Sequence, residues 1–206
     1  MSCKSSMSKK NPRRHPITVD DLWALDKLGA PSLSPDGQHV LVAVTTPSMK
    51  DNRSASALWL LSTQGAPPRR LTRCGDKDSQ PRFSPRGELI AFTAKREEEG
   101  RKDDEPQLYV MPPDGGEARR VGHVATGVED ARWLPDGQRI AFVSWVWPDA
   151  KGSKAQSKRH KAWADRKESG YATSAALWRY WDHDMPLGRA AHLHIVTRMS
   201  GRPELR

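Results

Sequence analysis

The turn sequence Ser-Pro-Asp-Gly at residues 34–37 returns as Ser-Pro-Arg-Gly at residues 84–87 and as Leu-Pro-Asp-Gly at residues 134–137, each time 50 positions further on. In such a turn, proline presets φ at the second position, and glycine takes the left-handed conformation that ends the turn. A tight turn of this kind joins two antiparallel strands. The three copies therefore predict three β-hairpins at a fixed spacing.

The segments around the turns repeat with the same period. An apolar run follows each turn, at residues 40–42, 90–92 and 140–142. In the first two repeats a segment with Leu and an aromatic residue comes next, at residues 58–60 and 108–110. A pair of arginines ends these two repeats, within residues 69–71 and 119–121. Four short antiparallel strands every 50 residues are typical of β-propeller blades, whereas a jelly roll or a sandwich keeps no fixed period. The arginines would protect the outer edge of each blade. We therefore predict an all-β fold, an incomplete β-propeller of about three four-stranded blades.

The third repeat is interrupted. Its third strand is best matched by residues 193–196, where His194 takes the place of the usual aromatic residue, so about 35 residues have been inserted. We place the insert at about residues 145–180, and we expect such an insert to line an axial opening or to meet another domain. The predicted propeller covers residues 30–206, with blades at about 30–73, 74–123 and 124–206.

A short helix is predicted before the propeller, within residues 16–29. Thr18 is a candidate N-cap, and Asp20 and Asp21 would lie in the first turn, where the helix dipole favours acidic residues. Leucines recur every three residues, and Gly29 is a plausible stop. We expect the helix to cover residues 19–28 and to pack its apolar stripe on the propeller.

The charge is concentrated in two polar stretches. The chain has 206 residues, is 36% hydrophobic and carries a formal net charge of +9, and no apolar run is long enough for a membrane helix. Basic residues dominate residues 1–15 and residues 151–170, and the remainder is nearly neutral. Such runs are typical of solvated, mobile chain, and residues 1–15 are expected to be a disordered tail. Binding of a polyanion by the two stretches is the alternative.

Cysteine usage and the amino terminus predict a cytoplasmic location. Cys3 and Cys74 match no zinc spacing and cannot form a disulfide framework. The first ten residues are basic, but no apolar core of a signal peptide follows them.

Several segments carry a resemblance to a known family. Residues 18–22 (Thr-Val-Asp-Asp-Leu) run into residues 31–37, and the insert ends in Trp-Asp-His at residues 181–183, followed by Gly-Arg at 188–189 and His-Leu at 192–193. With the two later turns, these segments resemble the N-terminal propeller of the prolyl oligopeptidase family of serine peptidases, in the branch of acylaminoacyl-peptidases and dipeptidyl aminopeptidases. The resemblance implies a propeller that filters peptide substrates for a C-terminal α/β-hydrolase domain, which carries the catalytic serine, aspartate and histidine.

No catalytic residue is predicted within this chain. The sequence contains no Gly-x-Ser-x-Gly elbow, the strained turn that exposes the nucleophile of such hydrolases. Three blades also do not close a ring, because propellers have about four to eight. We therefore expect a truncated piece, inactive alone, whose peptide substrates are hydrolysed by the missing domain. Self-association through uncovered blade faces is a further expectation, and a non-enzymatic TolB-like propeller that acts as an interaction scaffold is the alternative.

Four tryptophans at the insert are the candidate substrate-binding residues: Trp145, Trp147, Trp178 and Trp181. They would form a wall for a peptide, or they would pin the insert to the blade. His192 and His194 share one face of a strand and suggest a metal site, but packing of these side chains is expected instead, and neither a metal nor a cofactor is predicted. The acidic run at residues 97–99 would bind a substrate amine, as propeller glutamates of dipeptidyl aminopeptidases do, or form a solvated loop.

Overall fold

Three antiparallel sheets follow one another along the chain. The computed structural model describes residues 15–73, 77–98, 100–168 and 188–197. The first sheet follows helix α1 (Val19–Ala24) and contains β1 (Lys27–Leu28), β2 (Ser32–Leu33), β3 (His39–Ser48), β4 (Arg53–Ser62) and β5 (Arg69–Arg70). The strand order is β1-β3-β4-β5, and β2 also pairs with β3.

The second sheet is a complete four-stranded meander. It contains β6 (Ser79–Phe83), β7 (Ile90–Ala94), β10 (Gln107–Met111) and β11 (Arg119–Arg120), which pair in that order. A small hairpin of β8 (Glu97–Glu98) and β9 (Arg101–Lys102) lies between β7 and β10. The predicted outer strands with paired arginines are confirmed as β5 and β11, each two residues long.

The third sheet contains β12 (Glu129–Trp133), β13 (Arg139–Val146) and β14 (Ala190–Thr197), in that order. Helix α2 (Ser153–Ala164) lies between β13 and β14 in sequence. The strand predicted at residues 193–196 lies within β14, with His194 opposite Phe142. The structure therefore confirms a mostly β fold of successive sheets, and it contains no closed barrel in the described residues.

The three predicted turns are confirmed, and they have the same geometry. In each, the glycine N–H donates to the carbonyl three residues earlier, at 2.9 Å for Gly37, 2.9 Å for Gly87 and 3.0 Å for Gly137. The φ angles of these glycines are 70°, 75° and 64°, in the left-handed region where other residues are strained. The turn sequence therefore sets the local structure of all three hairpins.

In the third turn an aspartate accepts the backbone hydrogen bond that a serine hydroxyl accepts in the first two turns. In the first two turns, the Oγ atoms of Ser34 and Ser84 accept a backbone N–H at 2.9 and 3.1 Å. Leu134 has no hydroxyl, but Oδ1 of Asp136 accepts the N–H of Arg139 at 3.0 Å instead. The departure of the third copy from the repeat thus leaves its turn intact.

The core lies between neighbouring sheets. Alternate residues of β7 and β10 face the first and the third sheet, so both strands are buried on both faces. One cluster joins the first and second sheets around Leu41, Leu58, Ile90, Phe92 and Tyr109. The other joins the second and third sheets around Leu108, Val110, Ile140, Phe142 and Val196.

Strands β2, β6 and β12 of the three successive sheets lie side by side. The Phe83 N–H donates to Oγ of Ser32 at 3.2 Å, and Nε1 of Trp133 donates to the Arg82 carbonyl at 3.3 Å. Gln80 and Asp130 both have positive φ, at register shifts in β6 and β12, and Oε1 of Gln80 accepts the Asp130 N–H at 2.9 Å. These bulges also recur after 50 residues, although the repeat motifs in the sequence do not predict them.

Helix α1 differs from its prediction. The Thr18 cap is confirmed by a reciprocal capping box with Asp21, but the helix ends at Ala24, because the next residues extend into β1 and pair with β3. Its apolar stripe is not packed on the sheets: Leu22 is 59% exposed and Leu25 is 60% exposed. The expectation that this stripe would be buried is therefore wrong.

The basic stretch, which the structure describes over residues 151–168, is not simply extended solvated chain. Its side chains are mostly exposed, but Ser153–Ala164 is helical. Alanine, lysine, glutamine and arginine favour helices, and no glycine or proline interrupts the segment. Neither this helix nor α1 is long and apolar enough to cross a membrane, and no other helix occurs among the described residues.

Candidate functional site

Trp147 is the centre of an aromatic cluster beneath α2. It follows β13 directly and is only 2% exposed. Its ring centroid lies 6.2 Å from that of His160 and 6.1 Å from that of Trp163, both on α2. Two guanidinium groups, of Arg159 and Arg189, each lie 5.8 Å from the Trp147 ring. These cation–π and ring contacts hold α2 against the end of the third sheet.

Hydrogen bonds fix the start of α2 at the same place. The side-chain amide of Gln156 donates to the carbonyls of Trp147 and Ala150, each at 2.7 Å, and its oxygen accepts the Trp147 N–H at 3.1 Å. Nε2 of His160 lies 3.4 Å from a carboxylate oxygen of Glu105, before β10. The insert is therefore attached both to its own sheet and to the preceding one.

Trp145 has different surroundings from Trp147. Trp145 is half-buried on the face of β13 that it shares with Leu193 and Ile195 of β14, and its Nε1 donates to a carboxylate oxygen of Glu129 at 3.2 Å. Trp178 and Trp181 lie outside the described residues. The contacts of Trp147 are those of a residue that pins the insert, and a peptide-binding wall of all four tryptophans stays a prediction.

A buried ion pair, not predicted from the sequence, lies at the edge of the second sheet, before β6 and after β7. The Asp78 side chain is fully buried, and both its oxygens accept hydrogen bonds from a guanidinium nitrogen of Arg96 at 3.0 Å. Burial raises the pKa of Asp78, while hydrogen bonding by Thr72 and the charge of Arg96 oppose that effect. The Arg96 guanidinium also lies over the rings of Phe92 and Tyr109, at 5.0 and 5.3 Å.

A second buried carboxylate continues this network. Oδ2 of Asp103 accepts the Tyr109 hydroxyl at 2.7 Å, and Oδ1 accepts a guanidinium nitrogen of Arg120 at 2.8 Å. The repeat itself offered a signal for the network: Asp78 and Arg96 occupy positions that Val128 and Val146 occupy 50 residues later. Charged residues at positions that are apolar in the next copy indicate a buried pair.

The rings of His192 and His194 on β14 lie beside each other. Their ring centroids are 6.5 Å apart, and His194 packs on Phe142 at 5.4 Å. Across the part of the chain that the structure describes, no three His, Cys, Asp or Glu side chains come together as a metal site needs. Glu97 and Glu98 lie in the β8–β9 hairpin, opposite Lys102 and Arg101, and Glu99 lies outside the described residues.

Comparison with known proteins agrees with this architecture. The sequence profile described as "TolB beta propeller domain" matches residues 25–159, which is more than half of the chain. The chain belongs to the TolB β-propeller domain family. The match covers the first two sheets, β12, β13 and most of α2.

Two curated relatives have the names of peptidases. The chain is 32% identical over 124 residues to the uncharacterized peptidase YuxL of Bacillus subtilis, covering 60% of this chain and 18% of that protein. It is 26% identical over 166 residues to dipeptidyl-peptidase 5 of Porphyromonas endodontalis, covering 81% of this chain and 22% of that protein. The chain thus spans about a fifth of the length of these relatives. The resemblance to a peptidase propeller is confirmed.

A solved structure shows the same fold. Acylaminoacyl peptidase of Pyrococcus horikoshii superposes with a TM-score of 0.62 at 14% identity, covering 89% of this chain and 25% of that protein. At this identity the similarity supports the fold alone. The aligned region is, again, a fraction of a larger protein.

Proposed function

We propose that this chain is the substrate-gating propeller portion of a serine peptidase that hydrolyses peptides, releasing aminoacyl, acylaminoacyl or dipeptidyl units. In this proposal, an α/β-hydrolase domain outside these residues carries the catalytic groups. Residues 30–73, 74–123 and 124–206 are the three blades, and residues 145–180 are an insert of the third. The proposed location is the cytoplasm, in keeping with only two cysteines in the chain.

The observation that carries the proposal is the exposed face of the third sheet. Leu108 and Val110 of β10 are 3% and 4% exposed, because the third sheet packs on them. The corresponding residues of β14 are Leu193 and Ile195, which are 65% and 40% exposed. A face built for a neighbouring sheet is therefore uncovered, as expected for part of a larger propeller.

In this proposal the propeller selects the substrate and the hydrolase domain cleaves it. The chain contains no Gly-x-Ser-x-Gly elbow, so it supplies no nucleophile of the α/β-hydrolase type. Its second sheet packs between the first and the third, and sheets packed face to face in this way suit a filter that admits short unfolded peptides and excludes folded proteins. The names of the two relatives support the reaction class, peptide hydrolysis.

The test uses the native polypeptide that contains this sequence. It is captured from its host with an antibody raised against residues 30–144, treated with a fluorophosphonate probe and assayed on aminoacyl, acylaminoacyl and dipeptidyl chromogenic substrates. The proposal expects labelling of a serine outside residues 1–206, and hydrolysis that the probe abolishes. The recombinant 206-residue chain serves as the control and should be neither labelled nor active.

The alternative is a non-enzymatic propeller that acts as an interaction scaffold, and the family match is equally compatible with it. An unlabelled native polypeptide, without hydrolysis of any of the substrates, would favour the scaffold. A second copy of the chain on the exposed face is a further candidate for what covers it, and the oligomeric state of the native polypeptide distinguishes that arrangement from an additional blade.

A further inference from the structure

A cavity lies between α2 and the third sheet. Its volume is about 300 Å³, at the lower end for ligand pockets. One wall is formed by His194 and Val146 of the third sheet, another by the loop around Val124 and Ala125, and the third by the first turn of α2. The cavity is separate from the uncovered sheet face, because His194 and Val146 lie on the other face of the strands.

The cavity exists because the third repeat has smaller side chains here than the second. His194 occupies the repeat position of Tyr109, whose hydroxyl reaches Asp103. Val146 occupies the position of Arg96, which fills the space over the Tyr109 ring. Replacement of both leaves room beside the imidazole.

The imidazole of His194 is buried without a hydrogen-bond partner. The residue is 6% exposed, and neither Nδ1 nor Nε2 has a donor or an acceptor within reach. Burial and, secondarily, the neighbouring His192 lower the pKa of His194, so the ring is neutral near pH 7. A neutral imidazole has one N–H donor and one acceptor, and burying both unpaired is unfavourable. The site therefore lacks a polar group that a ligand would supply.

The wall formed by the start of α2 is electropositive. Helix α2 begins after Gly152 without a side-chain cap and without an acidic residue in its first turn. Ser153, Lys154 and Ser157 from this end of the helix line the cavity. Unpaired backbone N–H groups, hydroxyls and an ammonium group together favour an anion. The side chain of Gln156 is already occupied by backbone groups of Trp147 and Ala150, so it holds the helix end in place.

We propose that this cavity binds a small carboxylate that carries an apolar group, with the carboxylate at the start of α2 and the apolar group against Val124, Ala125 and Val146. A carboxylate oxygen also accepts the N–H of the neutral His194 imidazole, which thereby gains a hydrogen-bond partner in the complex. Two sources share this chemistry: a free organic acid, and the C-terminal residue of a short peptide. The inference does not depend on the proposed peptidase function.

The test measures binding to the full 206-residue chain by isothermal calorimetry and by NMR of the histidine rings. The probes are benzoate, N-acetylleucine and the tripeptide Ala-Ala-Leu, with benzamide and N-acetylleucinamide as neutral controls. Benzoate and N-acetylleucine are expected to bind and to shift the signal of His194, while the neutral amides bind at least about ten-fold more weakly. Binding of the tripeptide in addition identifies a peptide C-terminus as a source, and its failure restricts the site to free acids.

Three variants distinguish specific binding in the cavity from nonspecific attraction of an anion by positive charge. His194→Tyr restores the residue type of the second repeat, fills the cavity and should abolish binding. Lys154→Gln should weaken binding roughly two- to five-fold. Lys158→Gln, an exposed residue of the same helix that does not line the cavity, should leave binding unchanged. The proposal is wrong if no carboxylate binds, or if K154Q and K158Q have equal effects; the K154Q comparison decides even if H194Y fails to fold.

Discussion

Asp78 and Arg96 form a buried ion pair where the next repeat has two valines, Val128 and Val146. The two arrangements occupy equivalent positions of the repeat, but they respond differently to the loss of one partner. A buried pair gains little over apolar packing, whereas an unpaired buried charge is strongly destabilising. Removing one partner of the pair should therefore lower the free energy of unfolding strongly.

We predict that R96V destabilises the chain by about 3–5 kcal/mol, because it leaves the Asp78 carboxylate buried without its guanidinium. D78V should cost about 1–3 kcal/mol, since Arg96 is partly exposed and keeps its ring contacts. The double variant D78V/R96V should cost less than the sum of the two. Urea unfolding at pH 7 measures all three; strictly additive losses would contradict the pairing.

The loss of unfolding free energy caused by R96V should also depend on pH. The pKa of Asp78 is already raised by burial, and loss of Arg96 removes one of the influences that oppose this. A raised pKa in the folded state means that the folded chain binds more protons as pH falls, so its relative stability improves. The difference in unfolding free energy between R96V and the unmodified chain should therefore be smaller at pH 5 than at pH 7. A deficit that grows on acidification would exclude this explanation.

The contribution of Asp136 to stability should depend on pH in the opposite direction. Hydrogen bonds from the backbone of Gln138 and the side chain and backbone of Arg139 lower its pKa from 3.8 to about 2. A lowered pKa gives a contribution to stability that is present above pH 3.8 and is lost as pH falls toward 2. D136N keeps an acceptor in the turn but does not titrate. Between pH 4 and pH 2 it should therefore lose stability less steeply, as acid unfolding monitored by tryptophan fluorescence would show; parallel curves would refute the assignment.

At the scale of elements, the three turns differ in what surrounds their glycines. A Cβ atom at Gly37 would meet nothing within 4 Å, and one at Gly137 would lie 3.9 Å from Cδ of Pro85. At Gly87 it would lie 3.3 Å from Cδ of Pro35 in the preceding turn. The three turns thus share one backbone conformation, but only the middle one is tightly packed.

We predict that G37A and G137A each cost about 1–2 kcal/mol from the left-handed φ alone. G87A should cost more, because the new methyl group also displaces the first turn. Thermal unfolding of the three variants gives the ranking. Equal losses would mean that the turns of neighbouring sheets do not pack as described.

The elements also show what the sequence was able to predict. The strands and turns around residues 34–37, 84–87 and 134–137 followed from the repeat, because each copy confirmed the others. The helices had no such support. Helix α1 was predicted too long, since pairing of β1 with β3 competes with its last turn. Helix α2 was missed because its basic residues suggested solvated chain, while Trp147 and Gln156 anchor it through contacts that no local pattern reveals.

At the scale of the whole molecule, the third sheet has an exposed apolar face that includes Leu193 and Ile195. We predict that the 206-residue chain self-associates at high concentration, because burying apolar area contributes about 25 cal/mol per Å². L193K/I195K should reduce this self-association with little loss of stability. The matched pair L108K/V110K, at equivalent but buried positions, should prevent folding. Sedimentation velocity and circular dichroism measure both effects; continued association of L193K/I195K would point to another surface.

The candidate site was only partly predictable, because its contacts join residues that are distant in the sequence. Trp145 and Trp147 were chosen because they flank the insert, but only the structure distinguishes the ring of Trp147, which pins α2, from that of Trp145, which bonds Glu129. The cavity at His194 arises from the difference between two repeats, Tyr109 against His194 and Arg96 against Val146. Such differences become informative once the register between sheets is known.

Hydroxyl-radical footprinting tests the central claim most directly, by comparing oxidation of Trp145, Leu193 and Ile195 in the 206-residue chain and in the native polypeptide that contains it. If the third sheet is an inner blade of a larger propeller, the three side chains are oxidised readily in the isolated chain and become protected in the native polypeptide, while Leu108 and Val110 are protected in both. Equal oxidation of Leu193 and Ile195 in the two samples would contradict the claim, because nothing would then cover that face.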